Sequence, residues 1–196
     1  MSMPYSTAPR PDTGLYNGKL GLWLFLAAEA MFFGALFSSY AFLRTASETW
    51  PDGQEILPLA PALGAAVACA LAAASSARAW AAATQEGPSS TKRWLQIAAA
   101  TGLASALFIV IGLRMEIAEG MTPATNTFYA CWYLIGGLIA AHAAAAGVYA
   151  LLLAWPDGQP EGEYRFRLRN RVECLGLFLQ FVALAWLAAF ACFYVV

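Results

Sequence analysis

The chain has 196 residues, of which 60% are hydrophobic and 12% are charged. A soluble domain usually has about 25% charged residues, so this composition predicts an integral membrane protein. The net charge of −1 gives no indication of nucleic-acid binding, and the polar opening over residues 1–19 lacks the apolar core of a signal peptide.

Five apolar segments separated by short polar connections predict five membrane-spanning helices. They are Leu20–Leu43, a segment that starts at Pro58 and Pro61 and runs to about Ala83, Trp94–Leu113, Thr127–Trp155 and Val172–Val196. The first covers roughly 36 Å at ~1.5 Å per residue, enough to cross a hydrocarbon core. We therefore predict an all-α, polytopic fold, with residues 1–19 as a tail and residues 20–196 as one five-helix bundle.

The basic residues predict the orientation of this bundle. If five helices alternate, nine of the eleven Lys and Arg residues lie on one side of the membrane, and only Arg44 and Arg114 lie on the other. Cytoplasmic connections carry the excess of basic residues. We therefore expect a cytoplasmic N-terminus and a periplasmic C-terminus.

Three polar side chains lie well inside the predicted helices. Counted from the predicted cytoplasmic side, Glu29 is about 15 Å deep, His142 about 18 Å and Gln180 about 14 Å at ~1.5 Å per residue. Similar depth on three helices predicts that all three face the bundle interior, because a buried carboxyl needs hydrogen-bonding neighbours.

Glu29 is expected to be protonated at neutral pH, because an ionised carboxylate in hydrocarbon is costly without a partner. Two roles remain open: a hydrogen-bonded core residue that fixes helix packing, or a carboxyl that exchanges protons. His142 is likewise either a packing residue or a proton relay.

The remaining charges are predicted to lie at the membrane interfaces. Arg78 can extend to the interface from the second helix, and Glu173 is placed to pair with Arg169 and Arg171. Glu116 is expected at the level of the lipid headgroups.

The chain offers few metal ligands. It has four cysteines, none in a CxxC pair, and one histidine. These residues cannot build a haem, copper or zinc site within this chain. Any metal redox chemistry would therefore belong to a partner subunit.

The first helix carries the pattern Gly21-x-Trp23-x-Phe25-x-x-x-Glu29-x-Met31-Phe32-Phe33-Gly34. Further patterns follow along the chain: Leu57-Pro58-Leu59-x-Pro61, Glu119-Gly120-Met121-Thr122-Pro123, Gly137 with His142, and Val172-Glu173-x-x-Gly176-Leu177-Phe178. In this order they resemble subunit III of the haem-copper terminal oxidases, in its short five-helix bacterial form. The chain departs from that family at four of its usual polar or aromatic positions: Ile139, Leu179, Gln180 and Ala183.

The resemblance implies an accessory subunit of a respiratory oxidase in the bacterial inner membrane, with no active site or cofactor of its own. Haem and copper would be carried by subunits I and II of a proton-pumping cytochrome c oxidase, and the electrons would come from cytochrome c through these partner subunits. The family associates this subunit with stabilising the catalytic subunit, proton uptake and a lipid-rich route for dioxygen. Membrane lipids, including bound phospholipid, are further expected partners.

Two alternatives remain open at this point. Within the same family the chain could be subunit III of a quinol oxidase or of a homologue associated with nitric-oxide reductase. From a different class, a small proton-coupled transporter could use Glu29 as its carrier group.

Overall fold

A computed structural model describes residues 10–155 and 161–195, with residues 161–166 as helix backbone. Its helices are α1 (Asn17–Ala46), α2 (Gly53–Ile56), α3 (Leu59–Gln85), α4 (Pro88–Ala118), α5 (Thr127–Ala154) and α6 (Glu161–Tyr194). All but α2 are long and apolar enough to cross a membrane, α6 over Arg167–Tyr194. The chain is thus a multi-pass membrane protein, and the prediction of five spanning helices is confirmed. Residues 1–9 of the predicted tail and Val196 lie outside the described residues.

Helices α1, α3, α4 and α6 extend beyond the predicted apolar segments at one end or both. Helix α4 begins six residues before the predicted Trp94, because Gly87 has a φ of 117° and Pro88 follows at the first helical position. The one-turn α2 was not predicted; the Asp52 carboxylate caps it by accepting a hydrogen bond from the Gln54 N–H at 2.9 Å.

The bundle is a four-helix arrangement to which α1 is added. Helix α3 packs against α4 and α6, and α5 packs against the same two helices. Within the described residues, α1 packs against the edge formed by α5 and α6. We call the end at which α1 begins the Lys19 end and the opposite end the Glu116 end. A cluster rich in aromatic side chains fills the core towards the Glu116 end, and a smaller aliphatic cluster fills it towards the Lys19 end.

Small residues allow α4 and α5 to approach closely. A Cβ atom added to Gly102 would lie 3.4 Å from the Cα of Gly147, and one added to Gly147 would lie 3.0 Å from the backbone nitrogen of Leu103. Lipid tails are as apolar as leucine, so helices in a membrane associate through close packing and hydrogen bonds. This crossing therefore depends on the absence of side chains.

Helix α1 packs differently, along one narrow stripe. Its buried residues, Leu26, Phe33 and Tyr40, recur every seven residues, the spacing that keeps one line of a helix against its neighbour. Only 11% of its most apolar window is buried, compared with 39–44% in the other spanning helices. The attachment of α1 therefore depends on a few contacts.

We predict that Gly147→Ala lowers the free energy of unfolding in detergent by about 1–3 kcal/mol, because the new methyl group would overlap Leu103 and push α4 from α5. Thermal or denaturant unfolding followed by circular dichroism measures the change. Gly137→Ala is the matched control on the same helix, since a Cβ at Gly137 meets no atom within 4 Å. Equal effects of the two substitutions would contradict the proposed close approach.

Candidate functional site

An acidic and an imidazole side chain meet inside the membrane between α1 and α5. Glu29 Oε2 lies 3.3 Å from His142 Nε2, and the two side chains keep 18% and 19% of their surfaces accessible. Glu29 occupies the narrow stripe of α1, three residues after Leu26 and four before Phe33. The helix that is least packed thus presents its carboxyl directly to the bundle.

The orientation of the imidazole fixes which of its nitrogens carries hydrogen. His142 Nδ1 lies 2.8 Å from the carbonyl oxygen of Leu138, one turn earlier on α5. A carbonyl oxygen only accepts, so Nδ1 is the donor. The rings of Phe33 and Phe178, with centroids 5.6 Å and 5.9 Å from the imidazole, hold it in place.

This arrangement leaves one proton for the contact between Nε2 and the carboxyl. Either a protonated Glu29 faces a neutral imidazole, or an ionised Glu29 faces an imidazolium; the pair is neutral in both forms. The two atoms lie close together, but they do not form a well-aligned hydrogen bond. Glu29 Oε2 has no hydrogen-bond partner within the described residues. The geometry can therefore hold a proton between α1 and α5, and a small reorientation of either side chain would align it.

Gln180 does not join this pair. It follows Phe178 by two residues, and a step of two residues is a rotation of about 200° around a helix. The two side chains therefore leave opposite faces of α6. Its side chain is exposed and lines a groove with small residues of α3, Ala66, Ala70 and Ala73. The prediction that Gln180 faces the same interior as Glu29 and His142 is wrong, because depth along a helix does not specify its face.

The interfacial charges have different partners from those predicted. Glu173 contacts α1 instead of its own helix: Lys19 Nζ lies 2.5 Å from Oε1, and the Tyr16 hydroxyl donates to Oε2 at 2.9 Å. Burial, followed by the bond to Glu173, raises the pKa of the Tyr16 hydroxyl. Arg169 acts on Glu173 only as a more distant charge. These contacts fasten the start of α1 to α6.

Arg78 lies near the Lys19 end of α3, as expected for an interfacial cation. Its guanidinium lies 3.8 Å from the Glu86 carboxylate and 5.4 Å from the centre of the Trp94 ring. Glu86 follows the last residue of α3, and Trp94 lies in the second turn of α4. Because Arg78 and Glu86 are about half exposed, this pair contributes little to stability.

A groove of about 1020 Å³ opens between α1, α5 and α6 at the Lys19 end. Arg167 and Arg171 line it at its polar end, and Leu22, Phe25 and Phe178 line it further into the bundle. A charged mouth above an apolar interior suits an amphiphile with an anionic headgroup.

Glu116 was missed as a core residue. It lies near the end of α4, as predicted, but its side chain is only 2% exposed, so it is enclosed by the protein. Spacing could have revealed it: the buried positions Ile109, Gly112 and Glu116 follow one another at intervals of three and four residues on α4.

The described residues contain no group of three or more His, Cys, Asp and Glu side chains placed to hold a metal ion. The titratable groups described above are the Glu29–His142 pair, an ion pair at the Lys19 end and the buried Glu116.

Cytochrome c oxidase subunit 3 of Thermostichus vulcanus is 27% identical over 179 residues, covering 90% of this chain and 86% of that protein. The chain is similar along most of its length to subunit 3 of terminal oxidases.

Two further relatives carry corresponding names. Cytochrome bo(3) ubiquinol oxidase subunit 3 of Pseudomonas aeruginosa is 24% identical, covering 91% of this chain and 84% of that protein. Cytochrome c oxidase subunit 3 of a Synechocystis species is 28% identical, covering 94% and 76% respectively. No family model matches the chain. The relatives support the resemblance found in the sequence.

A double-mutant cycle should detect coupling between Glu29 and His142. We predict that Glu29→Ala and His142→Ala are non-additive in the free energy of unfolding by about 0.5–3 kcal/mol, the range for residues in direct contact. Chemical unfolding in detergent of the two single variants and the double variant measures the coupling.

The control cycle pairs Glu29→Ala with Gln180→Ala. Since Gln180 lies on the opposite face of α6, its effect should add to that of Glu29→Ala. Coupling of Glu29 to Gln180 but not to His142 would overturn the geometry described above.

Proposed function

We propose that the chain is an accessory subunit of a membrane-bound haem-copper terminal oxidase. The observation that carries this proposal is the similarity to proteins named oxidase subunit 3 over at least 90% of the chain in the three comparisons given above. In this proposal subunits I and II hold the haem and copper and reduce dioxygen. The present chain packs against them and contributes no redox centre.

The Glu29–His142 pair is proposed to support turnover of the catalytic subunit. It joins α1 to α5 in the membrane interior and holds one proton in surroundings formed by aromatic rings. Both a purely structural clasp and a group that takes part in proton uptake are consistent with this geometry. A route for dioxygen through lipid next to the chain belongs to the same proposal.

The proposed orientation places the Lys19 end in the cytoplasm of a bacterial cell and the chain in the inner membrane. The basic residues at that end lie near the start of α1, at Arg10 and Lys19, and on either side of the turn between α3 and α4, at Arg78, Lys92 and Arg93. The positive-inside rule supports this arrangement.

The partner subunits determine the electron donor, so the proposal does not specify it. Relatives include subunits of oxidases named for cytochrome c and for ubiquinol. A homologue associated with nitric-oxide reductase, and a small transporter that uses Glu29 as a proton carrier, are the alternatives.

Purification of the native assembly in mild detergent tests the proposal. An affinity tag on this chain should recover haem, seen in a reduced-minus-oxidised absorbance spectrum, together with oxygen-reducing activity. A colourless preparation of this chain alone would contradict the oxidase proposal, and proton-coupled uptake by that preparation in liposomes would favour the transporter.

We predict that Glu29→Ala leaves the haem content of the assembly unchanged but alters its inactivation during turnover or its proton uptake, because the variant loses the group that shares a proton with His142. Oxygen consumption followed over successive turnovers, with haem measured on the same sample, gives both quantities. The matched control is Glu48→Ala, which removes an exposed carboxyl from the connection after α1. If assembly alone fails, the role of Glu29 is structural.

The groove between α1, α5 and α6 is proposed to hold a phospholipid. Two arginines line its polar end, and an anionic headgroup gains about 1 kcal/mol per basic residue near the membrane surface. Acyl chains would follow the apolar side chains of Leu22, Phe25 and Phe178 towards Glu29 and His142.

We predict that Arg171→Gln weakens retention of anionic phospholipid roughly fivefold, the equivalent of about 1 kcal/mol. Mass spectrometry of lipids extracted from the washed assembly measures the retained amount. Arg93→Gln, an exposed cation of α4 that does not line the groove, should leave retention unchanged. Equal losses in both variants would indicate general surface attraction instead of this groove.

A further inference from the structure

Glu116 is a second buried carboxyl, remote from the Glu29–His142 pair. It lies in the last turns of α4 at the Glu116 end and is 2% exposed. Its Oε2 atom is inaccessible and has no hydrogen-bond partner within the described residues. The acidic group is therefore enclosed by the chain itself.

The connection that follows α4 folds back onto the helix at Glu116. Gly120 adopts a φ of 83°, which turns the chain back so that the Met121 N–H donates to the Glu116 backbone oxygen at 2.9 Å. The Tyr133 hydroxyl then lies 2.8 Å from the carbonyl of Met121 and 3.1 Å from that of Leu113. These bonds hold the connection against the ends of α4 and α5.

The groups that face Glu116 are phenols and one other acid. Tyr129 and Tyr133 of α5 and Tyr194 of α6 lie within electrostatic range of the Glu116 carboxyl. Glu119 in the connection is the charged residue that acts on it, and it has the same sign. No cation forms a salt bridge with Glu116 among the ion pairs of the described residues.

The nearest basic residue along the helix does not compensate for this charge. Arg114 precedes Glu116 by two residues, about 200° around α4, and is exposed. An isolated carboxylate in a low-dielectric interior costs several kcal/mol even after relaxation, whereas a carboxylic acid loses far less on burial. The geometry thus favours the neutral acid.

We propose that Glu116 is a buried proton-binding site at the Glu116 end, occupied at neutral pH. The site consists of the carboxyl, the neighbouring phenol of Tyr129 and the connection that folds back at Glu116. It binds a proton without a counter-charge, unlike Glu29, which has His142. This assignment does not depend on the partner subunits and holds for an oxidase subunit and a transporter alike.

Infrared spectroscopy of the intact chain in its purified assembly tests the assignment. The difference spectrum of wild type minus Glu116→Gln at pH 7 should contain the carbonyl stretch of a protonated carboxylic acid. Glu119→Gln, which removes an exposed carboxyl three residues away, should instead remove carboxylate bands. Carboxylate bands in the Glu116→Gln difference spectrum would overturn the proposal.

Stability provides a second measurement. Because glutamine is a neutral isostere of the acid, Glu116→Gln should keep the unfolding midpoint at pH 7 within about 2 °C, less than 1 kcal/mol for a chain of this length. A variant that fails to fold, or loses much more, would contradict a neutral Glu116. Glu116→Asp keeps an acid group at the site and should shift the carbonyl band without removing it; if the band stays unchanged, it belongs to another residue.

Discussion

Three polar contacts, one at each end of α1 and one at its middle, hold this helix to the rest of the bundle. Lys19 and Tyr16 bind Glu173 at one end, Glu29 meets His142 in the middle, and the Tyr40 hydroxyl donates to the Cys192 carbonyl at 2.9 Å near the other end. Lipid tails compete equally for apolar surface, so these contacts and one narrow stripe must define where α1 sits.

This constraint gives Glu29 two roles that are physically linked. A carboxyl that fixes the position of α1 must keep its partner close. That partner is the imidazole of His142, whose Nδ1 already donates to the Leu138 carbonyl. The same geometry that fastens the helix is therefore the one that we propose to hold a proton. A loss of that proton would leave an uncompensated charge at the junction of α1 and α5, which couples the protonation of the pair to the packing of α1.

The sequence predicted the elements of the fold better than the faces of its helices. Apolar length identifies a spanning helix, so the five spans were found, and the Glu29–His142 contact agrees with their similar predicted depths. Gln180 satisfied the same depth criterion and lies on the opposite face of α6. The face of a uniformly apolar helix depends on which neighbours pack against it, and this information is not present in local hydropathy.

Glu116 illustrates the same difficulty for a charge near a helix end. Hydropathy assigns such a residue to the headgroup region, and only the three- and four-residue spacing after Ile109 and Gly112 identifies it as a buried position of α4. Its burial also requires the turn at Gly120 and the Tyr133 bonds to the connection, which are tertiary features. Two buried carboxyls in one chain thus have different chemistry. Glu29 lies beside a base with which it can share a proton, whereas Glu116 lies among phenols and a like charge, so its own proton is what makes its burial tolerable.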